Sequence, residues 1–347
     1  MARNVNAPSR KKPLFPVREA LRQYLLAHKR AASLPVRYRD LSRFTGSVPL
    51  TDKNGEDTLW DTVFYEPQDM EGLYEKLTQL YVRMKAGHES NITSHLTVSR
   101  IDYCAYGNSQ PFRVRIINRL NDNYDHIYIK RTDASRIYGL ELEFLLSPNH
   151  LHYHVDGDTL VEEHVVGIPG ERFMEDHLEE SSFNQTRMAK EFVKFNERTF
   201  ARLLGDMRAY NFVVEVSPDL EGNQYRLRAI DFDQQCYEGR KSMYLPQYFK
   251  ENNPLIKLGI QHMEPRTVKQ YQREERNLLA MRAETHRHRL EVLLEVMAGD
   301  ELSSPEKVLQ LALELAHFHK RESFRYFRTM GQLVRHNLEV VLRETTF

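Results

Sequence analysis

The sequence has little cysteine and no excess of charge of either sign. Its 347 residues include only two cysteines, Cys104 and Cys236, too few for a network of disulfide bonds. Lysine and arginine together number 49, as do aspartate and glutamate, so no overall field attracts nucleic acid or an anionic membrane. We therefore expect a protein of a reducing compartment that has no nucleic-acid partner.

Long apolar runs are also missing. No stretch approaches the roughly 18 apolar residues that a transmembrane helix needs, so membrane insertion is not expected. The beginning of the sequence, MARNVNAPSRKKPLFP, lacks the apolar core of a signal peptide. Together with the few cysteines, these absences predict a cytoplasmic protein. The length allows one large or two ordinary domains with a real core.

The pattern of the chain changes along its length. Residues 1–13 are polar and basic with two prolines, which predicts a disordered arm. Residues 14–90 show helical spacing of apolar residues on either side of a turn-rich stretch at 47–69, and predict a helical cap. Residues 91–166 alternate as strands do, and predict five antiparallel strands with one helix after the third. Residues 167–347 are mainly helical apart from one predicted β-hairpin.

The residues that carry chemistry lie in this hairpin region, RLLGDMRAYNFVVEVSPDLEGNQYRLRAIDFDQQ, residues 202–235. It holds Asp206 and Asn211, two predicted strands joined by a turn, and Asp231 in Ile-Asp-Phe-Asp. Phosphoryl transfer from ATP needs a carboxylate that accepts the hydroxyl proton, oxygen ligands for Mg²⁺, and a cation near the phosphates. The sequence therefore predicts one base and two metal ligands mounted on a hairpin.

The order and spacing of these motifs resemble the protein-kinase-like superfamily, and most of all its aminoglycoside phosphotransferase and choline kinase branch. Residues 204–211, LGDMRAYN, resemble the His-Gly-Asp-x₄-Asn loop of that branch, and residues 230–233, IDFD, resemble its metal motif. Residues 160–170, LVEEHVVGIPG, resemble its hinge. Lys130, in Ile-Tyr-Ile-Lys, stands where the family's third-strand lysine stands. The resemblance covers roughly residues 95–260.

This resemblance implies an α+β, bilobal protein-kinase-like fold. The small lobe is expected to be a five-stranded antiparallel sheet, the large lobe mainly helical, and the helical cap an extra feature. The implied activity is transfer of the γ-phosphoryl group of ATP, with Mg²⁺, to a hydroxyl of an acceptor that the sequence does not identify. The short segment after Asp231 has no Ala-Pro-Glu signal, which favours a small-molecule or atypical protein acceptor.

The resemblance also implies a role for several single residues. Asp206 is the expected catalytic base, and Asn211 and Asp231 are the expected Mg²⁺ ligands. Lys130 is expected to hold the α- and β-phosphates. Arg208 stands where related kinases carry a lysine or histidine that contacts the γ-phosphate.

Lys130 is expected to have a carboxylate partner on the following helix. Glu141 shares a helix face with apolar residues that should point at the sheet, so we choose it, with Glu143 as the second choice. The backbone of the hinge is expected to bind adenine, with Glu163 and Val165 as the candidate residues.

The sequence departs from the family pattern in ways that leave other functions open. Leu204 replaces the histidine of the loop, and the turn expected to cover the phosphates has a single glycine, Gly107. Asp233 replaces a glycine and is a candidate for a further metal ligand. One alternative is a nucleotide-binding pseudokinase that serves as a regulatory or interaction module. Another is a HipA-like or lipid-kinase-like enzyme, and a third is a structural helical protein in which the hairpin is incidental.

Overall fold

The protein is a mixed α+β protein, seen in a computed structural model that describes residues 12–86, 95–180, 183–220 and 222–343. The predicted disordered arm, residues 1–13, lies outside the described residues except for its last two positions. One of these, Lys12, is buried and forms an ion pair with Asp133, so the end of the predicted arm packs onto the fold. Among the described helices, none combines the length and the apolar character needed to cross a membrane.

The first of two compact units comprises Met1–Asp133 and Leu151–His164. Its helices are α1 (Glu19–Ala27), α2 (Tyr38–Leu41) and α3 (Pro67–Ala86). Its strands are β1 (Gly46–Thr51), β2 (Asp57–Phe64), β3 (Leu96–Tyr103), β4 (Phe112–Asn118), β5 (Tyr124–Arg131), β6 (Tyr153–Asp156) and β7 (Thr159–Glu163). They form one antiparallel sheet in the order β1-β2-β3-β4-β5-β7-β6.

This sheet has seven strands, so the predicted number of five is wrong. The additional strands, β1 and β2, lie in the stretch that was predicted to be turn-rich within the helical cap. The Asp52 side chain closes the turn between them by accepting hydrogen bonds from the N–H groups of Asn54 and Glu56, at 2.8 and 2.9 Å. Polar residues interrupt the apolar positions of both strands, and β1 also contains a proline. The alternation that identifies a strand is therefore obscured.

The core of the first unit lies against one face of the sheet. On α3 the buried residues Leu73, Leu77 and Leu80 recur at helical spacing and therefore share one face of the helix. On β4 and β5 the buried residues alternate with polar and aromatic ones, so the two faces of these strands differ in character. The face away from the core carries Arg113, Arg115, His126, Tyr128 and Lys130.

The second unit comprises Ala134–His150 and Val165–Phe347 and is mainly helical. Its helices are α4 (Ala134–Leu146), α5 (Gly170–Asp176), α6 (Gln185–Ala201), α7 (Asn253–His262), α8 (Pro265–Thr285), α9 (Arg287–Ala298), α10 (Pro305–His319) and α11 (Met330–Arg343). Its strands are β8 (Ile168–Pro169), β9 (Phe212–Asp219) and β10 (Gly222–Ala229), which form a small antiparallel sheet in the order β10-β9-β8. The predicted hairpin of β9 and β10 is thus confirmed.

Helix α4 was predicted as part of the small lobe, but its contacts group it with the second unit. The hydroxyl of Ser135 donates to the backbone oxygen of Gln235 at 2.6 Å. At Gly139 an added Cβ would lie only 3.0 Å from Cβ of Phe232, so the helix lies very close to this segment. Nearly every residue of α4 is buried, because the helix is apolar on more than one face.

Candidate functional site

Asp206 lies in a loop between α6 and β9 that backbone hydrogen bonds hold in place. Its N–H donates to the backbone oxygen of Met243 at 2.9 Å, and the N–H of Gly205 donates to that of Gln234 at 3.2 Å. The φ of Asp206 is 59°, in the left-handed region that non-glycine residues adopt rarely. Aspartate adopts this conformation more readily than most residues, and here the surrounding hydrogen bonds maintain it.

Asn211 connects this loop to the end of the hairpin. Its side-chain Nδ2 donates to the backbone oxygen of Asp206 at 2.7 Å and lies 3.4 Å from Oδ2 of the same residue. The backbone oxygen of Asn211 accepts a hydrogen bond from the N–H of Ile230 at 3.0 Å. Because Ile230 precedes Asp231, the structure brings Asp206, Asn211 and Asp231 together at one end of the hairpin.

Arg208 lies beside the predicted base. Its Nε donates to Oδ1 of Asp206 at 2.8 Å, and its Nη1 donates to Oε1 of Glu251 at 2.6 Å. Burial raises the pKa of Asp206 above its ordinary value, and the hydrogen bond and charge of Arg208 offset part of that rise. A carboxylate with a raised pKa is a stronger base, which suits the role predicted for Asp206. Glu251, which holds Arg208 in this place, was not identified from the sequence.

Asp231 has a charged partner that the sequence did not reveal. Oδ1 of Asp231 accepts a hydrogen bond from Nη1 of Arg136 at 2.8 Å and another from the N–H of Asp233 at 3.0 Å. The same Nη1 lies 2.8 Å from Oδ1 of Asp233. One signal was present, since Arg136 lies in a largely apolar helix and a charged side chain that is buried must find a partner.

Lys130 is paired within its own unit by Glu162. Nζ of Lys130 donates to Oε2 of Glu162 at 2.7 Å, and both side chains are almost completely buried. The two residues lie on the neighbouring strands β5 and β7 at a diagonal position, where long side chains on one face can meet. Glu162 lies within residues 160–170, which resemble the hinge, and it was not predicted as a partner of Lys130.

The two carboxylates considered as partners of Lys130 both have arginine partners in the second unit. Glu141 is fully buried and accepts a hydrogen bond from Nη2 of Arg289 at 2.6 Å. Glu143, the second choice, forms a buried ion pair with Arg202. Since Lys130 and Glu141 belong to different units, their pairing stays a prediction.

The predicted adenine-binding backbone is partly occupied by the sheet. Glu163 ends β7, and its N–H donates to the backbone oxygen of His152 at 3.1 Å. Its carboxylate in turn accepts a hydrogen bond from the N–H of His152 at 2.8 Å. The N–H of Glu163 is therefore engaged with His152, and the role of the Glu163 backbone in binding adenine stays a prediction. Val165 is buried, and its role stays a prediction.

The predicted metal ligands are an amide and a carboxylate rather than a cluster of acids. Within the described ranges, no group of three or more histidine, cysteine, aspartate or glutamate side chains is arranged to hold a metal ion. Because Nδ2 of Asn211 is directed to Asp206, the amide oxygen Oδ1 is the atom suited to a cation. Amide and carboxylate oxygens are the hard ligands that Mg²⁺ prefers. In chemical type these two oxygen donors fit a divalent cation, and Arg136 offsets part of the acidic charge beside them.

His126 is predicted to make the stability of the first unit sensitive to acid. Burial, assisted by the charge of Arg113, lowers its pKa from 6.5 to about 4. A histidine with a lowered pKa contributes stability that is fully present above its unfolded value and is lost as the pH falls through the folded value. We expect His126→Gln to lose less free energy of unfolding than the wild type between pH 6.5 and about 4.

Urea denaturation at a series of pH values measures this difference. The exposed His95, changed to glutamine, is the control and should follow the wild type at every pH. If the His126→Gln curve also runs parallel to the wild type, burial does not depress the titration of this histidine.

The charged groups of the predicted site thus form two clusters, one around Lys130 in the first unit and one around Asp206 and Asp231 in the second. No protein-family model matches this chain, and a search of curated proteins finds no match.

Proposed function

We propose that the protein is an ATP- and Mg²⁺-dependent phosphotransferase with a bilobal protein-kinase-like fold. The observation that carries this proposal is the meeting of Asp206, Asn211 and Asp231 at one end of the β9–β10 hairpin. Strands β3, β4 and β5 are followed in the chain by helix α4 and then by strands β6 and β7, and this order supports the proposed fold. The acceptor is a hydroxyl of a small molecule or of an atypical protein substrate.

The proposed roles follow from the surroundings of each side chain. Asp206 accepts the hydroxyl proton of the acceptor, and its raised pKa favours this step. Arg208, held by Asp206 and Glu251, supplies positive charge beside the base. Asn211 and Asp231 would hold Mg²⁺, which when bound neutralises charge on the phosphate oxygens.

A second candidate function is a regulatory pseudokinase, and one specific observation favours it. Each charged group assigned to ATP or Mg²⁺ already forms an ion pair with another side chain of the protein. The pairs Lys130–Glu162 and Arg136–Asp231 are examples. A ligand must compete with these pairs, and the cost of that competition lowers its affinity. A protein that only rarely binds nucleotide would retain its fold for interactions with other molecules.

The first experiment tests whether the protein has a nucleotide site. Millimolar Mg·ATP is expected to raise the melting temperature, because a ligand that binds only the folded state stabilises it. The rise should be about 2–4 °C for each kcal/mol of stabilisation. Asp231→Asn is expected to abolish the rise, since the variant removes the carboxylate charge proposed to hold the metal. Thermal unfolding followed by circular dichroism measures both.

Asp219→Asn is the matched control, because Asp219 ends β9 on the same hairpin and its side chain is partly exposed. It should keep the full Mg·ATP effect. Two results would contradict the proposed site, namely a wild type that does not respond to Mg·ATP and an Asp231→Asn variant that responds as strongly as the wild type.

A further inference from the structure

We infer that Arg136 acts as a built-in cation which limits the metal centre to one divalent ion and excludes Asp233 as a ligand. This inference rests on the proposed function, because it concerns the same metal centre. Arg136 is a positioning residue, since it acts through the carboxylates that it contacts.

The guanidinium of Arg136 joins the two carboxylates that follow β10. Nη1 lies 2.8 Å from Oδ1 of Asp231 and 2.8 Å from Oδ1 of Asp233. Nη2 donates to the backbone oxygen of Ile230 at 3.3 Å. A single side chain therefore fixes the position of both acidic groups and of the strand end that carries them.

The surroundings differ for the two carboxylates. The side chains of Arg136 and Asp233 are only 2% and 7% exposed, whereas that of Asp231 is 34% exposed. A cation that enters from solvent therefore reaches Asp231, while Asp233 lies with Arg136 in the interior. Asn211, the other proposed ligand, is joined to Ile230 next to Asp231.

Arg136 is also held firmly at the start of its helix. It lies in the first turn of α4, next to Ser135, whose hydroxyl donates to the backbone oxygen of Gln235 at 2.6 Å. Since Gln235 follows Asp233 closely in the chain, the first turn of α4 and the acidic segment are fixed to each other. The backbone from which Arg136 extends is therefore held next to the carboxylates that its guanidinium contacts.

The net charge of Arg136, Asp231 and Asp233 determines how many divalent cations the site can bind. Asp231 and Asp233 together carry two negative charges, and Arg136 reduces the net charge of the group to one. One divalent cation is attracted to such a site, but a second would lie a few ångströms from both the first cation and the guanidinium. Coulomb repulsion at that distance lowers the affinity for the second ion by far more than tenfold.

Binding of Mn²⁺ to the full chain, followed by electron paramagnetic resonance, tests this inference. We expect one Mn²⁺ per chain in the wild type and in Arg136→Lys, which keeps the charge. Asp233→Asn should bind Mn²⁺ about tenfold more weakly, because the site loses one negative charge. Arg136→Met should bind about tenfold more tightly and accept a second ion.

The double variant Arg136→Met/Asp233→Asn is decisive, because it restores the wild-type net charge without leaving a buried carboxylate unpaired. It should bind one Mn²⁺ with an affinity close to that of the wild type. If Arg136→Met does not fold, the comparison of Asp233→Asn with the double variant decides the question.

Three outcomes overturn the inference. Two Mn²⁺ ions in the wild type would show that Arg136 does not exclude the second ion, and would leave the proposed phosphotransferase intact. A double variant as weak as Asp233→Asn would make Asp233 a ligand, again without harm to the proposed function. Absence of Mn²⁺ binding in every variant would overturn both the inference and the metal centre of the proposed function.

Discussion

Replacement of Asp206 with asparagine is expected to lower the rate of Mg·ATP-dependent ADP release by about 10²–10⁴-fold. Asparagine has nearly the same shape as aspartate, but it cannot accept a proton from the hydroxyl of the acceptor. Burial raises the pKa of Asp206, so a neutral amide suits this position and the fold should be retained. The melting-temperature rise caused by Mg·ATP should persist, because Asp231 and Asn211 are unchanged.

Water can serve as the acceptor in this measurement, so no knowledge of the natural acceptor is required. Asp219→Asn on the same hairpin is the control and should keep the wild-type rate of ADP release. Wild-type turnover in Asp206→Asn would remove Asp206 from its proposed role. A wild type that binds Mg·ATP but releases no ADP would instead favour the pseudokinase.

The second large effect concerns stability, and we expect Arg202→Met to lower the free energy of unfolding by about 3–5 kcal/mol. Arg202 caps the end of α6 and forms a buried ion pair with Glu143 of α4, and both side chains are almost completely excluded from solvent. Its Nε also donates to the backbone oxygen of Arg198 at 3.0 Å. Removal of the arginine leaves the buried charge of Glu143 without its ion-pair partner, with a hydrogen bond from Nδ2 of Asn149 at 3.3 Å as its remaining close contact, which is costly.

Chemical denaturation, followed through the unfolding of the second unit, measures this loss of free energy. Two further variants show whether the buried ion pair is its cause. Arg202→Met/Glu143→Leu should recover most of the lost stability, because neither charge then remains in the interior. Arg172→Met removes one partner of an exposed ion pair with Asp176 and should change stability by less than about 0.5 kcal/mol. An Arg202→Met variant as stable as Arg172→Met would mean that the buried pair contributes little.

The success of the predictions varied with the kind of feature. The hairpin of β9 and β10 and the presence of helix α4 after β5 were predicted well, because alternation along a strand and helical spacing are local signals. Strands β1 and β2 were missed, since their pairing with each other and with β3 supplies the stability that their own sequence lacks. Local pattern therefore predicts an element best where the element does not depend on distant partners.

The residues of the predicted site show the same difference between local signals and contacts with distant residues. Asp206 and Asn211 lie only five positions apart, so their nearness follows from the sequence, while hydrogen bonds to the distant Met243 and Gln234 hold the loop that carries Asp206. As the partner of Lys130 only Glu141 and Glu143 of the following helix were considered. Glu162 meets Lys130 through the pairing of β5 with β7, a contact between strands that are distant in the chain.

The sequence by itself determined the chemical types at the hairpin, namely a carboxylate, an amide and a second carboxylate, in an order that resembles the kinase-like superfamily. Only the tertiary structure decided which charges face each other. Lys130 and Glu162 are 32 positions apart in the chain, and Arg136 and Asp231 are 95 positions apart. The physical reason is that burial brings remote charges into contact, and a charge that leaves water is stable only beside a partner that the packing of the elements supplies.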